Sequence, residues 1–390
     1  MVAARSFPLP YGSKGPMRVL HVVPSLRKDG GVERFVYNVA KESDPSAVCY
    51  DFLHQASPIG YRDAECFDDE LRDMGCDVRK VSNAADDFFG FVRETKEFFA
   101  EYGSVYDFVH CHMPNLAFCV LRCARDTGVR HRILHSHLNA SSDVFSHRVR
   151  NAPLIAIGKR YATERVACSE DAGRYLFGRK HFKVINNGIP VEDYRYSEDR
   201  SMSYRDDLGI PLKAKVVGCV GRFTPQKNFR FMIKVFSELL ERDSNVYLVM
   251  VGDGPQKNEV MEAIQRYGIT DNVRILGFRS DLNILYSLFD VFAMPSLYEG
   301  LPVAAVEAQA AGLRCVFSTG VPSDSDVRGD AKFISLDGGI ATWVSALMDA
   351  LDQDVDRGCP KRIETSYSSR AASIQLEAMY ASIASGRKCG

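Results

Sequence analysis

The chain has 390 residues, with 49 Lys/Arg against 50 Asp/Glu and a formal net charge of −1. That length suits two or three domains, each with its own core, and the charge balance offers no global basic field for nucleic acid. The 11 cysteines are odd in number, scattered and without a C-x-x-C pair, which suits a reducing cytoplasm better than a disulfide framework or a zinc site.

The start, MVAARSFPLPYGSKGP, lacks the apolar core of a secretory signal. Residues 1–16 are expected to be either a flexible extension or the product of a misassigned start site. No apolar run reaches the ~18 residues of a membrane span. Met17 opens the first expected strand, near 18–24, and PSLRKDGGVERF follows it. Gly30 and Gly31 fall between that strand and a helix whose Val32, Phe35, Val36 and Val39 have the spacing of a core face. The two glycines let backbone approach a ligand closely, or mark an ordinary βα turn. They do not make a G-x-G-x-x-G, so a nicotinamide cofactor gains no support.

Further strands are expected near 50–54, 106–112, 132–137, 165–168 and 182–186. His112 ends the strand YDFVHCH beside Cys111 and His110. Neighbours on a strand point to opposite faces, so no metal cluster is expected there. His135 and His137 alternate on the next strand and share a face. His137, nearer the C-terminal edge, either lines an acceptor cleft or is a satisfied histidine of core or rim. Residues 121–180 carry 12 Lys/Arg against 5 Asp/Glu. Within them SHRVRNAPLIAIGKRYATER mixes basic and apolar residues, which fits either a solvated helix face or a patch that docks on anionic lipid. NNGIPVEDYRYSED at 186–199 reads as an inter-domain linker.

A second βα series follows, with strands near 215–220, 246–251, 273–276, 291–294 and 314–318. Runs such as VYLVMV are apolar throughout, as parallel strands buried on both faces are. Strand–helix alternation of this kind argues for doubly wound sheets. GCVGRFTPQKN puts Arg222 and Lys227 at a strand's C-terminal edge, where open α/β sheets bind ligands. Together the two cations can neutralise a diphosphate; separately each is as well explained by a surface salt bridge. VMVGDGP carries Gly252 and Gly254 in a turn after a strand, and LGF ends at Phe278, a base-bordering or core aromatic.

Residues 296–312 read SLYEGLPVAAVEAQAAG. Pro302 suits the first turn of a helix and Gly312 its end. Glu299 then sits in the loop before the helix and Glu307 inside it, roughly 7 Å along the axis at ~1.5 Å per residue. The first free amides between them form an anion site. Gly300, Leu301 and Val303 can donate; Pro302 has no N–H. A carboxylate, an anion site and a second carboxylate match hexose hydroxyls, a diphosphate and a ribose diol. The alternative is a glutamate favoured near a helix N-terminus by the macrodipole.

In this order, GR-x4-KN, VGDGP, LGF and the glutamate pair resemble the retaining glycosyltransferases of family 4, with the GT-B fold. The likeness covers about residues 17–385 and is strongest toward members that build bacterial capsular and exopolysaccharide repeat units. PSLRKDGGVERFVYNVA, ACSEDAGRYLFG and VINNGI support it.

The resemblance implies an α/β fold of two Rossmann-like domains facing a cleft: an acceptor domain over 17–190, a nucleotide-sugar domain over 191–370, and a helix with its tail over 371–390 that returns to the first domain. It implies that Gly30 and Gly31 lie near donor phosphates and acceptor, and that His112 contacts the donor sugar and positions the reacting centre. Glu299 would hold hydroxyls of the transferred sugar, Glu307 the ribose, and Arg222 with Lys227 the leaving diphosphate. Gly252, Gly254 and Phe278 would flank the nucleotide. No metal and no cofactor are expected beyond the nucleotide-sugar co-substrate, UDP-linked. Asp324-Ser-Asp326 and Asp354-Val-Asp356 match the D-x-D of metal-dependent families by letters only, and read as solvated charge. The expected reaction is retaining transfer of a hexosyl or N-acetylhexosaminyl group to a glycan or polyprenyl-diphosphate-linked acceptor. The expected location is cytoplasmic, with peripheral contact at an anionic membrane. A sugar-nucleotide epimerase or a non-catalytic binding protein are the alternatives. Arg314 stands where relatives often have proline, and STGVPSDSD lacks their usual Asp-then-Glu; neither difference touches the phosphate-binding set.

Overall fold

The computed structural model describes residues 15–28, 30–57, 65–137, 145–353 and 356–386. The expected extension at 1–16 falls almost wholly outside them, as does Asp354. The chain divides into two compact units: residues up to Gly188 together with Ser369–Gly390, and Ile189–Ser368. Both divisions lie two residues before the boundaries expected from sequence, 190/191 and 370/371.

The first unit holds a seven-stranded parallel sheet of β1 (Met17–Val23), β2 (Val48–Gln55), β3 (Val78–Val81), β4 (Phe108–Cys111), β5 (His131–Ser136), β6 (Glu164–Ala167) and β7 (Lys183–Val184). Their spatial order is 3-2-1-4-5-6-7. The second unit holds a six-stranded sheet of β8 (Lys215–Val220), β9 (Val246–Val251), β10 (Val273–Ile275), β11 (Val291–Met294), β12 (Arg314–Ser318) and β13 (Lys332–Ile334), ordered 10-9-8-11-12-13. Both orders reverse direction after the unit's first strand, the arrangement of a Rossmann-like doubly wound sheet. β3 and β13 are the strands that sequence reading missed. Both are edge strands, and their short sequences VRKV and KFI carry charges that an apolar-run criterion passes over.

Side chains alternate between two cores in the first unit. Leu20, Val22, Val109 and Leu134 pack on one face with Phe91, Phe99 and Val120. Val19, Val23, Phe108 and Ile133 pack on the other with Phe35, Leu376 and Tyr380. This period of two decides which face a strand histidine enters. The C-terminal helix Ser369–Ala384 covers the second of these faces. Its Arg370 donates to the Glu42 carbonyl at 2.7 Å, and its Glu377 accepts from the Asp44 amide at 3.0 Å. In the second unit, Trp343 and Leu347 of helix Ile340–Leu351 pack with Phe236, Leu248 and Val316.

The stretch at 186–199, expected as an inter-domain linker, contains the boundary between the two units, and the part after it packs on the second unit. Val191 and Tyr194 are buried, and the Ile189 amide donates to the Tyr367 carbonyl at 2.9 Å. Its polar and proline letters conceal two apolar anchors that fasten it to the second unit.

Candidate functional site

In the second sheet the order reverses between β8 and β11. The loops that follow these two strands meet at their C-terminal ends, the usual ligand position in such sheets. After β8 the chain forms a short 3-10 turn, Pro225–Lys227, then helix Phe229–Arg242. Asn228 joins them at φ 54°, the one non-glycine with positive φ among the described residues. Asparagine tolerates this left-handed conformation better than other side-chain-bearing residues, and its amide donates to the Pro295 carbonyl at 3.2 Å. The turn is sewn to the loop after β11. The Leu297 amide donates to the Gln226 carbonyl at 2.8 Å, and Gln226 Nε2 donates to the Tyr298 carbonyl at 3.0 Å. Lys227 Nζ lies 2.6 Å from Glu299 Oε1, with both side chains mostly buried.

Helix Val303–Ala310 begins after Pro302, and Gly312 beyond its end has φ 72°. The amides of Gly300, Leu301 and Val303 have no hydrogen-bond partner among the described residues. They are the free donors expected where a helix starts. Glu307, the fifth residue of the helix, is 2% exposed. Its two oxygens accept from Tyr194 Oη at 2.6 Å and Tyr286 Oη at 2.9 Å. Arg222 is exposed and its side chain has no partner among the described residues. Phe278 is 49% exposed, which removes the core alternative for that ring.

Gly252 and Gly254 have a packing role. A Cβ on Gly252 would fall 2.0 Å from the Gly221 carbonyl oxygen, and one on Gly254 2.6 Å from the Phe223 carbonyl oxygen. The space they leave is filled by the backbone that leads to Lys227, so they seat the neighbouring loop. Gly30 behaves similarly. Glu33, which accepts from Ser25 Oγ at 2.7 Å, lies over it, with Oε2 2.0 Å from where a Cβ would be. Gly31 opens helix Gly31–Glu42. Of the D-x-D letters, Asp324 and Asp356 are exposed, and Asp326 accepts from the Gly329 amide at 2.7 Å.

The first sheet reverses between β1 and β4, and histidines concentrate there. Strand alternation separates Cys111 from His110 and His112, as expected, but it puts those two on one face with His21, His135 and His137. All five are buried beneath Phe35 and the C-terminal helix. His21 Nδ1 and His112 Nε2 are 2.8 Å apart, His112 Nδ1 and His137 Nε2 2.7 Å, and His137 Nδ1 and Asn187 Oδ1 3.1 Å. Separately, His110 bonds to His135 at 3.1 Å and to Tyr380 Oη at 2.7 Å.

Burial, then the neighbouring histidines, hold His112 well below the ordinary imidazole range. Burial lowers His137 to about 4, although its bond to Asn187 acts the other way. Burial, then His137, lowers His21 to about 3. The series is neutral at pH 7. His112 is 3% exposed and both its ring nitrogens are taken. His137 is 8% exposed and bonded on both sides.

Two triads here, His21–His110–His112 and His112–His135–His137, bring ligand atoms within 4.8 Å of one another. The fit to a metal is poor. Nitrogens around a tetrahedral ion at ~2.0–2.1 Å lie roughly 3.3 Å apart, whereas the bonded pairs stand at 2.7 and 2.8 Å. The rings stack, with interplanar angles of 14° for His110–His112 and 25° for His21–His112, so their lone pairs do not converge.

Comparison with known proteins follows the same division. The family model described as glycosyl transferases group 1 matches residues 201–362, nearly all of the second unit. EpsF of Bacillus subtilis, named as a glycosyltransferase, is 34% identical over 355 residues, covering 88% of this chain and 89% of its own. The chain belongs to the group 1 glycosyltransferases. An Escherichia coli galactosyltransferase whose name gives UDP-galactose and a diphosphoundecaprenol-linked acceptor is 26% identical to this enzyme over 262 residues, 64% of this chain and 67% of that one. Among solved structures, Anabaena HepE in complex with UDP matches with a TM-score of 0.74 at 18% identity, covering 94% of this chain and all (100%) of that one. Sucrose-phosphate synthase of Thermosynechococcus elongatus matches at 0.77 and 17%, covering 95% and 100%. These neighbours show the GT-B fold. Membership makes the enzyme a transferase and displaces the epimerase and binding-only readings.

Sequence reading missed Gln226, Tyr194, Tyr286, His21 and Asn187. Gln226 stood inside the quoted GR-x4-KN stretch, and Asn187 inside VINNGI. The two tyrosines gave no signal, because only the fold brings them to Glu307.

Proposed function

We propose that this enzyme moves a hexosyl or N-acetylhexosaminyl group from a UDP-sugar, with retention, to a glycan or polyprenyl-diphosphate-linked acceptor in surface-polysaccharide assembly. One arrangement carries the reading. At the reversal of the second sheet, Lys227 is held 2.6 Å from Glu299 beside the free amides of Gly300, Leu301 and Val303, and Glu307 follows in the same helix. Charge grows on the departing diphosphate as the sugar becomes oxocarbenium-like, and donors fixed in advance stabilise it more than they stabilise the ground state. Glu299 fixes the lysine, and Gln226 Nε2, 3.3 Å from Glu299 Oε2, fixes the glutamate. Exposed Arg222 closes on the diphosphate from solvent. Glu307, aligned by two tyrosines, takes the ribose diol, and Phe278 borders the base. These groups supply the charge stabilisation without a metal. The names of the relatives, one a transferase acting on a lipid-linked diphosphate and one bound to UDP, support the donor and acceptor classes.

Action at the cytoplasmic face of a membrane is part of the proposal. Helix Phe145–Tyr161 exposes Arg150, Ile157 and Arg160, a basic and apolar mixture suited to anionic lipid. No described helix is long and apolar enough to cross a membrane.

The test is turnover of a panel of UDP- and GDP-sugars with a lipid-linked acceptor mimic, with the product anomer read from its coupling constants. Acceptor-dependent release of UDP and an α-linked product are expected. A β-linked product overturns retention; release from GDP-sugars alone overturns the donor class.

A further inference from the structure

Asn187 lies just before the boundary of the first unit, 6% exposed, with Oδ1 3.1 Å from His137 Nδ1. A carbonyl oxygen only accepts, so His137 donates from Nδ1. A neutral imidazole carries one proton, so His137 Nε2 is an acceptor and His112 must donate to it from Nδ1. His112 Nε2 then accepts, and His21 donates to it from Nδ1. The series ends at His21 Nε2, which is buried and has no partner among the described residues. In this order that atom is an unused lone pair. In the reverse order it would be a buried N–H without an acceptor, the rarer and costlier state.

We propose that Asn187 is a positioning residue that sets the tautomers of His137, His112 and His21 in series, so that His112 meets the donor sugar as a neutral imidazole with Nε2 as hydrogen-bond acceptor. The assignment of His112 to the donor sugar rests on the proposed function; the order of the tautomers does not. A sugar hydroxyl displaces His21 from His112 Nε2 and donates to the same lone pair. With the opposite tautomer His112 would present an N–H there, and the hydroxyl would have to reverse its own hydrogen bond.

The experiment is long-range proton–nitrogen correlation NMR at pH 7 on protein labelled with nitrogen-15 at its 9 histidines, with assignment by single His→Gln variants. His21, His112 and His137 are expected to be protonated at Nδ1. Asn187→Asp, which still accepts, keeps that pattern. Asn187→Leu, of similar volume, loses it at His137 and His112. With the preferred UDP-sugar, Asn187→Leu lowers kcat/KM about tenfold, the worth of one hydrogen bond, and Asn187→Asp stays within a few-fold of the parent. Nε2 protonation in the parent, or an unchanged pattern in Asn187→Leu, overturns the proposal. If the tautomers follow this order while no UDP-sugar is consumed by the parent, the ordering stands and the proposed function falls.

Discussion

Mild acid should unfold the first unit, because its buried histidines are neutral in the fold and charged outside it. An unfolded histidine titrates near 6.5, whereas His137 titrates at about 4 and His21 at about 3. Between those values the unfolded chain binds protons that the folded chain refuses, so stability rises with pH and falls as pH drops. The contribution is fully present above ~6.5 and is lost progressively toward the folded values. Integrated from pH 7 to pH 5, each such histidine removes about 2 kcal/mol, so the pair removes about 4 kcal/mol. His110, His112 and His135 are also lowered by burial and add with the same sign. Against a typical stability of ~5–15 kcal/mol, the total is decisive. Urea unfolding followed by circular dichroism at pH 7, 6 and 5 measures it. The midpoint should fall steeply below pH 6.5, and His21→Phe should reduce the slope by about one proton, or ~1.4 kcal/mol per pH unit. A midpoint that is unchanged between pH 7 and pH 5 would refute a neutral, solvent-free histidine series.

Other perturbations probe the second unit and the surface. Asn228→Ala should lower stability by about 1–2 kcal/mol, through its left-handed backbone and the lost bond to Pro295, while Asn228→Gly, which loses the bond but not the backbone preference, should fall less; equal melting temperatures for Ala and the parent would contradict this. Arg222→Ala should leave the urea midpoint within about 0.5 kcal/mol, as for an exposed unpaired side chain, yet weaken UDP binding about tenfold; unchanged UDP affinity by calorimetry would take Arg222 out of the phosphate set. Liposome sedimentation should show retention on anionic vesicles that salt weakens; equal non-binding to anionic and neutral vesicles removes the membrane contact.

The interior strands were legible because buried parallel strands are written as continuous apolar runs, as in VYLVMV. β3 and β13 were not, because VRKV and KFI are short and carry charge and so break the apolar run that strands were read from. The linker reading of 186–199 located the boundary between the two units, but its proline and acidic residues did not show that Val191 and Tyr194 are buried. At the site, the glutamate pair could be read from helix punctuation alone. The contact between Lys227 and Glu299 spans 72 positions and exists only because the sheet reverses between β8 and β11. The five-histidine face was half visible. Spacing placed His135 with His137, but the register of β1 against β4, which sets His21 beside His110, is a tertiary fact.

Calorimetric titration of UDP into the parent and into Lys227→Ala tests the central claim most directly. A charge-assisted bond to phosphate is worth about 1.5–3 kcal/mol, so the variant should bind UDP roughly ten- to a hundredfold more weakly while keeping its fold by circular dichroism. Equal affinity in the two proteins would mean that the diphosphate does not sit at the reversal of the second sheet.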